Sequence, residues 1–208
     1  MEYHEKWEEV AKTDDAHKAI ASGNWQNEEF YNLSGVITAG KLTSRVEGIY
    51  REKCKDLTVV EIGCGTGRET KYFADCFKHV LAIDASATMI EKAKKRVSSD
   101  KVEFQVNKSG EIPIFDGDAD IVYSFLVFQH CNFDTVKKYF KSAQKALKVG
   151  GRFMFQLGTE KNKDYEPSDF DDVGVMSKDT LIRELEAAGF SPDYIAGDHF
   201  GLHIAIKK

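Results

Sequence analysis

The run Val59-Val60-Glu61-Ile62-Gly63-Cys64-Gly65-Thr66-Gly67 constrains the fold of this 208-residue chain more than any other stretch. A short apolar strand ends in an acid, followed by glycines at three alternate positions. Seventeen residues past the last glycine, a second apolar run, Val80 to Ile83, ends in Asp84. Positions without a Cβ let a ligand lie directly on the backbone. A carboxylate closing the second strand can accept two hydrogen bonds at once, which suits the paired hydroxyls of a ribose. The spacing therefore predicts a nucleoside-binding crevice at the carboxyl ends of parallel strands.

From Leu57 onward, apolar strand-sized runs alternate with amphipathic stretches of helical period, the pattern of an α/β sheet. Strands are expected near 57–62, 79–84, 101–106, 119–125, 151–157, 192–197 and 200–206. Helices are expected near 68–77, 86–98, 134–148 and 178–188. Ser86, Asp134 and Ser177 are the expected N-caps, with Gly150 and Gly189 as C-terminal stops. The last two strands are joined by little more than Gly197-Asp198-His199, too short for a parallel crossover, so they should pair antiparallel. Residues 1–50 lack the sheet pattern. Stretches 5–11, 14–21 and 35–50 have helical period, with Trp7, Trp25, Phe30 and Tyr31 set among charges. We read 1–50 as a helical cap on a sheet domain of 51–208, one structural domain overall.

Bulk properties narrow the class. No apolar run reaches the length of a membrane span. The opening Met-Glu-Tyr-His-Glu-Lys has neither the character of a secretory signal nor that of a transit peptide, so a cytoplasmic location is expected. Cys54, Cys64, Cys76 and Cys131 contain no C-x-x-C pair and are expected to be reduced thiols. His4, His17, His79, His199 and His203 show no metal spacing with acids or cysteines, so no metal is assigned. With 29 basic and 34 acidic residues the net charge is −5, and the lysines are scattered. That balance argues against nucleic acid, which needs clustered cations.

Four segments in order resemble the class I S-adenosylmethionine-dependent methyltransferases. They are Val60 to Gly67, Ala82-Ile83-Asp84-Ala85-Ser86, Ala119 to Ser124, and Leu147-Lys148-Val149-Gly150-Gly151. The resemblance implies a Rossmann-like seven-stranded sheet of order 3-2-1-4-5-7-6 with the seventh strand antiparallel, agreeing with the hairpin inferred above. The glycine spacing is G-x-G-x-G rather than the G-x-G-x-x-G that receives a pyrophosphate. S-adenosyl-L-methionine has no phosphate, and its methionine end carries an ammonium and a carboxylate. Glu61 suits the cationic ligand, and the loop of Gly63, Cys64, Gly65 and Gly67 can receive the carboxylate. By resemblance, Asp84 takes the ribose hydroxyls, Ala85 and Met89 line the adenosine pocket, Ser34-Gly35 approaches the methionine end, and Ser124 and Phe125 border the cofactor. The slot that often holds an adenine-binding Asp falls at Asn107 or Lys108, with Ser109 beside it. Asn107 has an amide for adenine; Lys108 cannot accept a hydrogen bond; plain loop residues are the alternative.

Three further features bear on the acceptor. His130 follows the fourth strand, where a general base could take a proton from the substrate; the alternative is that it only orders the loop. Trp7, Phe30 and Tyr31 are expected either in a lid over cofactor and substrate or in ordinary cap packing. The acidic stretch Thr159 to Met176 either faces water as a mobile loop or favours an amine substrate. The expected reaction is in-line transfer of a methyl group to a small-molecule O, N or C nucleophile, releasing S-adenosyl-L-homocysteine, in a monomer or homodimer without membrane or nucleic-acid partners. A protein or RNA methyltransferase, or a non-catalytic S-adenosylmethionine-binding module, are the alternatives.

Overall fold

The computed structural model describes residues 3–13, 27–50, 54–113, 117–160, 163–168, 172–197 and 201–208. The expected helix at 14–21, Trp25, and the acids at 169 and 171 lie outside the described residues. In chain order the elements are α1 (Tyr3–Ala11), α2 (Glu28–Tyr50), β1 (Thr58–Ile62), α3 (Thr70–Cys76), β2 (His79–Asp84), α4 (Ala87–Arg96) and β3 (Val102–Val106). They continue with β4 (Ala119–Ser124), α5 (Phe133–Ala146), β5 (Leu147–Gln156), α6 (Lys178–Ala187), β6 (Phe190–Tyr194) and β7 (Leu202–Lys207). The sheet has seven strands in the order β3-β2-β1-β4-β5-β7-β6. Strand β7 runs antiparallel to both β5 and β6.

The chain divides into two compact units, Met1–Lys108 and Ser109–Lys208. Both N-terminal helices belong to the first unit, together with β1, β2 and β3. Strands β1 and β2 pair in parallel from Thr58↔His79 to Ile62↔Ile83. Val59, Val60, Val80, Ala82 and Ile83 are wholly buried, as a strand covered on both faces requires. Helix α2 starts two turns before the expected 35, because Asn27 caps it: the Glu29 N–H donates to Asn27 Oδ1 at 2.9 Å. It buries Tyr31, Ser34, Gly35, Thr38, Ala39, Leu42 and Val46, a single face at helical spacing.

In the second unit β4 and β5 pair in parallel and Phe190 opens β6, two residues before the expected start. Its core is aromatic. Phe153 and Phe155 stack at 4.5 Å between centroids, Phe140 lies 5.1 Å from Phe155, and Phe190 lies 5.5 Å from Phe153. Ser86 and Ser177 cap α4 and α6 as expected, and Gly189 closes α6 at φ 92°. Two expectations are corrected. Asn132, not Asp134, caps α5, accepting from the Thr135 N–H at 2.9 Å. Gly150 is no helix stop. The helix ends at Ala146 and β5 follows at once, with Gly150 inside it at φ 78°. The pairing advances from Ala119↔Leu147 to Ile121↔Arg152, two residues on β4 against five on β5. A bulge absorbs the extra residues, and the left-handed conformation it needs is one that glycine adopts without strain. Pro192 falls inside β6, which is tolerated because β6 is the sheet edge.

Candidate cofactor and acceptor residues

The glycine loop of the first unit is built by its own backbone. Gly63, Gly65 and Gly67 have φ of 75°, 53° and 77°, so a side chain at any of them would be strained. The N–H groups of Gly63 and Cys64 donate to the Ile83 carbonyl at 2.7 and 3.0 Å, seating the loop on the end of β2. Asp84 locks it there. Its Oδ2 accepts from the Gly65 N–H and its Oδ1 from the Ser86 N–H, each at 2.9 Å. A carboxylate has about four accepting positions, so backbone N–H donors leave it capacity that a pair of ribose hydroxyls would use. Burial raises the Asp84 pKa, opposed by N–H donors from Ser86, Gly65 and Ala85.

Glu61 is 3 % exposed at the end of β1 and accepts from the Thr70 hydroxyl at 2.6 Å. Burial, reinforced by the neighbouring Glu69, pushes its pKa from 4.5 up to about 8. The nearby Arg68 is otherwise engaged: it pairs with Glu69 at 2.8 Å and donates to Ser34 Oγ at 2.9 Å. Among the described residues neither Glu61 nor Asp84 makes an ion pair. Two acids beside a glycine loop, with no ion pair among the described residues, are chemically suited to a cationic ligand.

Several expected residues gather around this loop. The Asn107 N–H donates to the Asp84 carbonyl at 2.7 Å, and Asn107 is buried. Lys108 is exposed. Met89, in α4, is buried against Ala11, Trp7 and Val10 of α1. The helix is fastened by a residue that the sequence did not single out. Glu8 accepts from Ser86 Oγ at 2.6 Å and from the Thr88 N–H and hydroxyl at 3.2 and 2.6 Å. Although burial raises the Glu8 pKa, those donors outweigh it and hold the value at about 2. Tyr31 is buried, with its hydroxyl 3.0 Å from Thr66 Oγ1 in the glycine loop. The Arg68 and Arg96 guanidinium groups lie 5.3 and 5.4 Å from its ring centre. Phe30, one residue earlier, is 45 % exposed. A Cβ on Gly35 would stand 2.6 Å from the Arg68 carbonyl, so this glycine allows α2 to touch the loop. Cys64 is buried, and burial raises its thiol pKa well above the ordinary value.

The second unit holds Ser109, Ser124, Phe125 and His130. Ser109 is exposed and accepts from the Glu111 N–H at 3.1 Å, a turn contact. Ser124 is buried at the end of β4, and Phe125 stacks on Tyr123 at 6.5 Å. His130 closes a short 3-10 turn, with its Nε2 3.1 Å from Gln129 Nε2. Described acids of the 159–176 segment make local structural contacts. Asp164 accepts from the Ser177 N–H at 2.7 Å at the start of α6, and Glu166 accepts from the Phe133 N–H at 2.6 Å at the start of α5. Asp172 accepts from the Tyr165 hydroxyl and the Ser168 N–H. Among the described residues no group of three or more His, Cys, Asp or Glu is placed to hold a metal, and no helix is long and apolar enough to cross a membrane.

The sheet order and the glycine loop between Glu61 and Asp84 define a Rossmann-like nucleoside-binding fold of the methyltransferase kind. Residues 60–155, a little under half of the chain, match the methyltransferase-domain family, which supports a class I S-adenosylmethionine-dependent methyltransferase. The chain is similar to the malonyl-[acyl-carrier protein] O-methyltransferase of Priestia megaterium, with 34 % identity over 105 residues, 49 % of this chain and 36 % of that protein. A probable S-adenosylmethionine-dependent methyltransferase of Mycolicibacterium smegmatis is 24 % identical over 169 residues, 77 % of this chain and 63 % of that protein. The chain matches about a third of the length of the first of these curated relatives. Magnesium protoporphyrin IX methyltransferase from Synechocystis, solved with its methyl donor bound, shares the fold with a TM-score of 0.69 at 13 % identity, over 100 % of this chain and 98 % of that one.

Proposed function

We propose that this protein transfers a methyl group from S-adenosyl-L-methionine to a small-molecule nucleophile and releases S-adenosyl-L-homocysteine. The observation that carries the reading is the pair of acids, Glu61 and Asp84, with no ion pair among the described residues, on either side of the left-handed glycine loop. Asp84 would hold the ribose hydroxyls, and Glu61 would face the ammonium at the methionine end. Ala85 and Met89 would border the adenosine, with Asn107 offering its amide to adenine. Gly35 and Tyr31 would support the loop from behind, and α1, with Trp7, would close over Met89 as a lid.

The sulfonium already activates the methyl group. The chain's residues need to align the nucleophile and keep water away, which is why no charge-relay set is required. We assign His130, with Ser124 and Phe125, to the acceptor's side of the reaction. The scattered lysines and the net charge of −5 favour a small acceptor over RNA. Relatives named for acyl-carrier-bound malonyl groups and for arsenite act on small chemical groups, which supports the same choice.

Calorimetric titration with both forms of the cofactor tests the reading. Micromolar binding is expected, and Asp84→Ala should weaken it by about 10- to 100-fold through loss of charge-assisted hydrogen bonds. Incorporation of a labelled methyl group from the cofactor into a metabolite pool would then identify the acceptor. Absence of binding by either cofactor form would refute the proposal; binding without transfer to any acceptor would favour a non-catalytic module.

A further inference from the structure

We propose that Gln129 and Gln156 are positioning residues that act through His130, holding its imidazole neutral with the proton on Nδ1. His130 then works as a hydrogen-bond donor and not as the general base that its place in the sequence suggests. The inference deepens the methyl-transfer reading and rests on it for the role of His130.

One donor in this group has a fixed direction. The Leu126 N–H is a backbone group, and it points at Gln156 Oε1 at 3.2 Å. That contact makes this end of the Gln156 amide the oxygen; the reverse orientation would set donor against donor. Gln156 Nε2 therefore donates to Gln129 Oε1, at 3.0 Å. The Gln129 amide is oriented in turn, and its Nε2 faces His130 Nε2 at 3.1 Å. An amide nitrogen has no lone pair to offer, so the ring nitrogen has to be the acceptor. A ring nitrogen that accepts carries no proton. The single proton of the neutral ring is then on Nδ1, and protonating Nε2 would bring two donors within 3.1 Å of each other.

The surroundings hold this chain of amides in place. Gln156 is completely buried at the end of β5. Leu126 has φ 59°, the one left-handed residue other than glycine among those described, a strained conformation that persists only where the surroundings enforce it. The Gly174 N–H donates to the Gln129 carbonyl at 2.6 Å, bracing the turn from the 163–176 segment. His203, in the same unit, shows the opposite arrangement: the Ala196 N–H donates to its Nδ1 at 3.1 Å, so its Nε2–H donates to the Leu157 carbonyl at 2.8 Å. Each ring thus has its tautomer written by neighbours whose polarity the backbone sets.

A base needs a lone pair facing the proton it removes. The one lone pair of neutral His130 is engaged by Gln129, so the ring has none to turn towards a substrate proton.

Two-bond nitrogen–proton correlation spectra of the full chain labelled with 15N-histidine test this without substrate. His130→Asn identifies the signals of His130 by their loss. At neutral pH the wild-type ring is expected as the Nδ1–H form. Gln129→Glu puts a carboxylate oxygen opposite Nε2 and should move the proton there. Gln156→Glu, which does not touch His130, should do the same by making Gln129 turn its amide; a merely structural role would not move a proton at that distance. If Gln156→Glu does not fold, Gln129→Glu alone decides. A wild-type Nε2–H ring, or a tautomer unchanged in Gln129→Glu, overturns the proposal. Calorimetry with S-adenosyl-L-methionine separates the two claims, since failure to bind removes the methyl-transfer reading while leaving the tautomer result standing.

Discussion

Replacing Glu61 by Gln should make the protein more stable at pH 8 while weakening its hold on the cofactor. Glu61 is buried, with no ion pair among the described residues, and its pKa rises from 4.5 in the unfolded chain to about 8 in the fold. The sign follows from linkage. A carboxyl with a raised folded-state pKa favours the fold fully below pH 4.5 and loses that contribution as pH rises through 8. Each pH unit between the two values weakens the fold by up to ~1.4 kcal/mol, so the whole interval amounts to about 5 kcal/mol. Glutamine has the same shape and can still accept from the Thr70 hydroxyl, but it cannot ionise. Urea unfolding between pH 5 and pH 8.5 should therefore show the two proteins converging at the acid end. At pH 8 the variant should lead by about 3–5 kcal/mol, a midpoint shift of roughly 1.5–2.5 M for an m-value near 2 kcal/mol/M. Saturating S-adenosyl-L-methionine should flatten the wild-type slope, because its ammonium stabilises the ionised acid. Equal pH slopes for the two apo proteins, or a variant less stable at pH 8, would refute the reasoning.

Glu8→Ala removes three hydrogen bonds that fasten α1 to the start of α4 and should cost about 1–2 kcal/mol. Amide exchange should accelerate across Tyr3–Ala11 while β1 and β2 remain protected. Gly35→Ala sets a Cβ 2.6 Å from the Arg68 carbonyl, so α2 must move off the glycine loop. The gain in helix propensity, about 1 kcal/mol, is outweighed by overpacking of about 1–3 kcal/mol, and thermal unfolding should show a net loss together with weaker cofactor binding. Phe153→Ala opens a hole between Phe155, Phe140 and Phe190 and should cost about 3–5 kcal/mol in urea unfolding.

The glycine loop and the two acids beside it were legible because the signals that form them are local. A strand that ends in Glu61, glycines that must adopt left-handed backbone, and a strand that ends in Asp84 are each readable within ten residues. Burial on both faces of β1 and β2 made their apolar runs continuous and their ends sharp. The caps Ser86 and Ser177 and the stop Gly189 were equally local. Errors came where two local signals competed. Asn132 and Asp134 can both cap a helix, and only the path of the chain decided for Asn132. Gly150 reads as a helix stop until the β4–β5 register shows an insertion to be absorbed.

Residue order by itself determined the sheet, its antiparallel edge, and the loop and acids offered to a nucleoside, because strand and helix periods and glycine conformation act over a few neighbours. Only the tertiary structure decided what long-range contacts do to those groups. It pushes Glu61 towards neutrality by burying it beside Glu69, puts Glu8 on the start of α4, and hands Gln156 the orientation that sets the His130 ring. Each of these depends on residues 8 to 80 positions apart meeting in space, and no pattern along the chain records such meetings.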